Sequence, residues 1–96
     1  MKVRFLLAAE IEMFDAAAFY EKQVALLGKN FLSIMEAAID EISAQPETWP
    51  VIGDGVRKRP LRRFPYLILY RIEEEEIVIV AVMHQRRRPY YWGARL

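Results

Sequence analysis

Ninety-six residues with 54% hydrophobic content and a net charge of +1 suffice for one modest core and argue against a disordered chain. There is no cysteine, which excludes disulfides and thiolate metal sites and fits a reducing compartment. Charge is distributed unevenly: residues 1–56 hold 4 basic and 9 acidic residues, a balance of −5, and residues 57–96 hold 10 basic and 4 acidic ones, a balance of +6. That asymmetry predicts a cationic face, since local field governs association more than total charge does.

The opening MKVRFLLAAEIEMF does not read as a signal peptide, because Glu10 and Glu12 interrupt a short apolar run. No segment reaches the roughly 18 apolar residues of a membrane span, so no membrane partner is expected and a cytoplasmic location is. Val3, Phe5 and Leu7 fall on one face and Lys2 and Arg4 on the other, which predicts a strand over residues 1–7. From Ala8 the period becomes helical. Ile11, Phe14 and Ala18 make one stripe, and Ala17, Tyr20, Val24 and Leu27 the adjoining one. Gly28 is expected to end this helix as a left-handed cap. Phe31, Met35, Ala38 and Ile42 then define a second helix, closed by Gln45-Pro46. A connection this short predicts an antiparallel hairpin of helices.

Residues 46–55 (PETWPVIGDG) read as a loop anchored by Trp49. Three strands follow: residues 56–61, a cationic strand whose Pro60 suits an edge; residues 66–72; and residues 77–83, apolar on both faces. Glu73 to Glu76 form a charged turn that discourages edge pairing. The order β-αα-βββ predicts an α+β domain over residues 1–96, with an N-terminal strand, a helical hairpin and three antiparallel strands.

The chemistry gathers after the last strand, in HQRRRPYYW. His84, the only histidine, can exchange protons at neutral pH, or it can lock the tail through a hydrogen bond. Arg57, Arg59, Arg62, Arg63, Arg86, Arg87 and Arg88 are forks suited to phosphate, with several expected to pair with internal carboxylates. Arg57 and Arg59 share a face by the period of two. Tyr90, Tyr91 and Trp92 offer rings for stacking or for covering the sheet, and Trp92 is expected to pack. The sequence carries no glycine-rich phosphate loop, no metal-ligand spacing and no nucleophile beside His84, so neither a cofactor nor a metal is expected.

The segment FYEKQVALLGKNFLSIMEAAIDEISAQPETWP, with RRFPYLILYRI and IVIVAVMHQRRRPYYW, resembles the RelE/ParE superfamily of toxins from type II toxin–antitoxin modules, over nearly the whole chain. The resemblance implies a growth-arresting toxin used in plasmid stabilisation and neutralised by a cognate antitoxin. RelE-like members are mRNA interferases that cut messenger RNA on the ribosome; ParE-like members poison DNA gyrase and are not nucleases. A ribonuclease reading would draw on His84, Arg86 and Tyr91. RelE-like enzymes usually place an arginine inside the strand where this chain has Leu67, Ile68 and Leu69. Without that cation, several kcal/mol of transition-state stabilisation are missing. The resemblance therefore favours the gyrase inhibitor. The alternatives are the ribosome-dependent nuclease and an inactive antitoxin-binding module.

Overall fold

The computed structural model describes residues 1–96. Strand β1 (Lys2–Phe5) leads into helix α1 (Leu7–Gln23) and helix α2 (Leu27–Ala44), followed by β2 (Val51–Gly53), β3 (Val56–Pro60), β4 (Tyr66–Glu73) and β5 (Glu76–His84). A 3₁₀ turn spans Gly93–Arg95. The five strands form a mixed sheet in the order β1-β5-β4-β3-β2. β1 runs parallel to β5, with Lys2 opposite Glu76 and Phe5 opposite Ile79. All other neighbours are antiparallel. No helix is long and apolar enough to cross a membrane.

The helical hairpin covers one face. Phe31, Met35, Ala38 and Ile42 of α2 pack with Ile68, Tyr70, Ile77, Ile79 and Val82 of the sheet, as the spacing in α2 predicts. α1 contributes only alanines to the fully buried set, Ala9, Ala16 and Ala17. Small side chains let this helix lie close to its neighbours, but its larger residues Leu7, Ile11, Phe14 and Phe19 face outward. α1 is apolar around much of its circumference, so periodicity alone does not say which stripe turns inward.

Three features depart from the sequence expectation. Residues 51–53 are a strand, not loop, joined to β3 by Asp54-Gly55, both in the left-handed region at φ 50° and 74°. That is the dihedral pattern of a tight two-residue hairpin, and Asp-Gly is among its preferred sequences. Gly28 lies inside α2 rather than capping α1; the left-handed residue is Leu26, at φ 72°. The Glu21 carboxylate accepts the backbone N–H groups of Leu26 (2.9 Å) and Gly28 (3.0 Å), serving the free donors of the α2 N-terminus. Gly28 is required for packing, because a β-carbon there would lie 2.3 Å from the carbonyl oxygen of Ala17.

The third departure is the second face of the sheet. A bulge places Val80 as an extra residue between the pairs Leu69–Ala81 and Tyr70–Ile79. Val80 and Ala81 both join Val56, Leu69 and Met83 in a second buried cluster, capped by Trp92 at 2% exposure. The tail after β5 therefore forms a third layer, where the strand order alone predicts two.

Candidate functional site at the arginine end of the sheet

Tyr66, at the start of β4, pairs with His84, at the end of β5. The Gln85 N–H donates to the Pro65 carbonyl at 2.8 Å, so the link over residues 61–65 and the turn after His84 lie side by side. Phe64 is buried and anchors the link. Arg62 and Arg63 stand exposed on it, and Arg86, Arg87 and Arg88 stand exposed on the adjoining turn. The ion pairs of the molecule join Arg4 to Glu76, Arg59 to Glu41, Arg71 to Glu73 and Arg95 to Glu12. None involves these five guanidinium groups. The turn itself is fixed by its backbone: the Arg86 N–H donates to His84 Nδ1 at 3.1 Å, and the Arg87 N–H to the His84 carbonyl at 2.9 Å.

Arg57 and Arg59 do share a face, and it is the helix side. Arg57 Nη1 donates to the carbonyls of Trp49 (2.7 Å) and Glu47 (3.2 Å). Arg59 is buried, donates to Glu41 at 2.9 Å and to the Pro60 carbonyl, and lies 5.1 Å from the Trp49 ring centre. Its Nε has no partner. Both side chains fasten the segment before β2, Trp49 included, and neither reaches the cluster of five.

The three tail rings are likewise engaged. Tyr90 stacks on Trp92 at 4.4 Å, and its hydroxyl donates to Asp54 in the β2–β3 turn. Tyr91 donates its hydroxyl proton to Glu12 of α1 at 2.5 Å. Arg95 donates two parallel hydrogen bonds to the same carboxylate, at 2.8 and 3.0 Å, and a third to the Val80 carbonyl. The Val82 N–H completes the set at 3.1 Å. β1 ends beside Ile79, so Glu12 and Arg95 supply side-chain partners to β5 where strand pairing stops. Burial raises the Glu12 pKa, but hydrogen bonds from Arg95, Tyr91 and Val82, with attraction to Arg95, more than offset this, and the net shift is downward. Burial, with the hydrogen bond to Glu12 and its negative charge, pushes the Tyr91 phenol well above the usual range. Neither Glu12 nor Arg95 is singled out by any local pattern; their pairing depends on the tail folding back across β5.

A groove of about 280 Å³ beside β5 is lined by His84, Tyr91, Arg87, Tyr66, Glu12 and Phe19, among others. Of the three residues a nuclease reading would use, His84 and Tyr91 meet here and Arg86 does not line the groove. Arg87 supplies the cation instead, 4.0 Å from the centre of the Tyr91 ring. His84 Nδ1 accepts a hydrogen bond, which puts the proton of the neutral ring on Nε2 and makes that nitrogen a donor, not a base. The Tyr91 proton is held by an anion that would repel a phosphate.

The whole arrangement has relatives. Comparison with curated proteins gives no match. A solved structure described as the chromosomal ParDE TA system from P. aeruginosa superposes with a TM-score of 0.63 at 18% identity, covering 88% of this chain and 95% of that one, which bears on the fold alone. The family model for the ParE toxin of type II toxin–antitoxin system, parDE, matches residues 3–89, from β1 through the arginine turn. This chain belongs to the ParE toxin family of type II toxin–antitoxin systems.

Proposed function

We propose that this chain acts as a single toxin domain over residues 1–96, that it arrests growth by inhibiting DNA gyrase in the cytoplasm, and that a cognate antitoxin neutralises it. The observation that carries the choice of gyrase over messenger RNA is the engagement of Tyr91 with Glu12 and Arg95. Acid–base cleavage of a phosphodiester draws on an acid and a base within hydrogen-bond reach of the reacting oxygens. Here the Tyr91 phenol donates to a carboxylate and His84 Nδ1 accepts from the Arg86 N–H, so both groups are already engaged. Purified protein incubated with gyrase and supercoiled plasmid should trap cleaved DNA. Codon-positioned messenger cuts on ribosomes, with gyrase unaffected at large molar excess, would establish the ribonuclease reading instead.

Support for an antitoxin comes from the helical hairpin. Phe5, Met13, Phe14, Leu32, Met35 and Ile39 line an apolar groove of about 300 Å³, rimmed by Glu36 and Asp40. Exposed apolar grooves of this kind mark protein contacts. Co-expression with the adjacent small reading frame should restore growth and yield a stable complex. A partner that fails to co-purify removes this part of the proposal.

A further inference from the structure

The five exposed arginines at one end of the sheet have an environment that narrows what they bind. No acidic residue occurs in residues 57–72 or 77–96, so the sequence around them offers no internal neutralisation. The nearest carboxylates along the groove are Glu12, which Arg95 engages, and Asp15. Arg62 and Arg63 project from one loop and Arg86, Arg87 and Arg88 from the other. The Gln85–Pro65 hydrogen bond holds those loops together.

A protein-binding surface would be expected to carry an apolar centre inside such a charged rim. The arginine loops themselves carry no exposed large apolar residue; Phe19 of α1 approaches them only along the groove that also holds Arg87. A single-stranded nucleic acid would want free rings on which to stack its bases. Trp92 is buried, Tyr91 is held by Glu12, and Tyr90 lies on Trp92. What remains is a set of guanidinium forks with one exposed amide, Gln85, among them, a chemistry dominated by phosphate contacts that position without specifying.

We infer that Arg62, Arg63, Arg86, Arg87 and Arg88 form a docking patch for the phosphate backbone of double-helical DNA, gripped without regard to sequence. The choice of DNA rests on the gyrase reading above, because that target presents duplex to whatever docks beside it. The patch adds electrostatic affinity and orientation; it performs no chemistry.

Binding is measured by fluorescence anisotropy with a labelled duplex of roughly 20 base pairs and no gyrase present, between about 50 and 200 mM salt. The logarithm of the affinity should fall with the logarithm of salt at a slope of about −4, near the limit for five phosphates. The triple variant Arg62→Gln, Arg86→Gln, Arg88→Gln should lose about 3 from the slope and more than tenfold in affinity at the lower salt. Circular dichroism should leave its fold unchanged, since these side chains make no ion pair. Arg4→Gln, at the opposite end of the sheet, should bind as the parent does. An undetectable complex, a triple variant that binds normally, tighter binding of the single strand or of an RNA duplex, or equal binding of polyglutamate would each overturn the inference; the last would mark an acidic protein surface as the ligand. The two readings separate cleanly. Duplex binding without gyrase inhibition would retain the patch and remove the target, whereas gyrase inhibition by a parent protein that binds no duplex would retain the target and remove the patch.

Discussion

Glu12 gathers donors from three places distant in sequence: Val82 in β5, Tyr91 in the tail and Arg95 at its end. Glu12→Gln removes the charge while keeping the shape, leaving the Arg95 fork without its anion. A hydrogen bond to a charged group contributes about 1.5–3 kcal/mol, so thermal unfolding at neutral pH should fall by about 4–8 °C for each kcal/mol lost. The carboxyl's folded pKa lies below its ordinary value of 4.5, which means the ionised form favours the folded state. This stabilisation is complete above that value and is lost as pH falls through the folded pKa. A wild-type stability profile should therefore drop more steeply under acid than that of Glu12→Gln; parallel profiles would show that the carboxylate does not couple to folding. At this scale the sequence was only partly legible. The arginines and rings were visible, but their partners were not. Arg57 and Arg59 look identical to Arg62 and Arg63 in composition, and only the register with β4 turns the first pair toward α2 and Trp49.

Among the elements, the hairpins carry the clearest local chemistry. Asp54-Gly55 joins β2 to β3 with residues suited to φ above zero, and that dipeptide is the signal by which the three-residue strand could have been found. The β4–β5 hairpin turns instead on Glu74 and Glu75, at φ 46° and 65°. Neither residue favours this region, and asparagine or glycine would enter it at lower cost. Glu74→Asn with Glu75→Gly should raise stability by about 1 kcal/mol, seen as a melting temperature about 4–8 °C higher. An unchanged or lower value would mean that the glutamates contribute something the backbone angles do not reveal. The α2 helix was legible because its apolar residues return at steps of four, three and four. The boundary between the helices was not, because a glycine near a helix end reads as a cap. In the folded chain it is instead a point of close approach between α1 and α2.

For the molecule as a whole, three layers replace the two that a strand-and-helix count predicts. The continuous apolar run of residues 77–83 already implied two covered faces, and the tail is what covers the second. Trp92 seals Val56, Leu69, Val80, Ala81 and Met83. Deleting residues 90–96 should expose this cluster, with gain of a dye-binding apolar surface and loss of cooperative unfolding. Trp92→Ala alone should cost about 3–5 kcal/mol, a large share of the roughly 5–15 kcal/mol that holds an ordinary domain. A truncated chain that melts like the intact one would remove the third layer from the account. The parallel pairing of Lys2 with Glu76 has a consequence during synthesis. The first strand to leave the ribosome has no neighbour until the fifth has been made, so the sheet cannot be completed while most of the chain already exists. A nascent protein of this design stays unfinished, and its arginine surface unassembled, through most of its own translation.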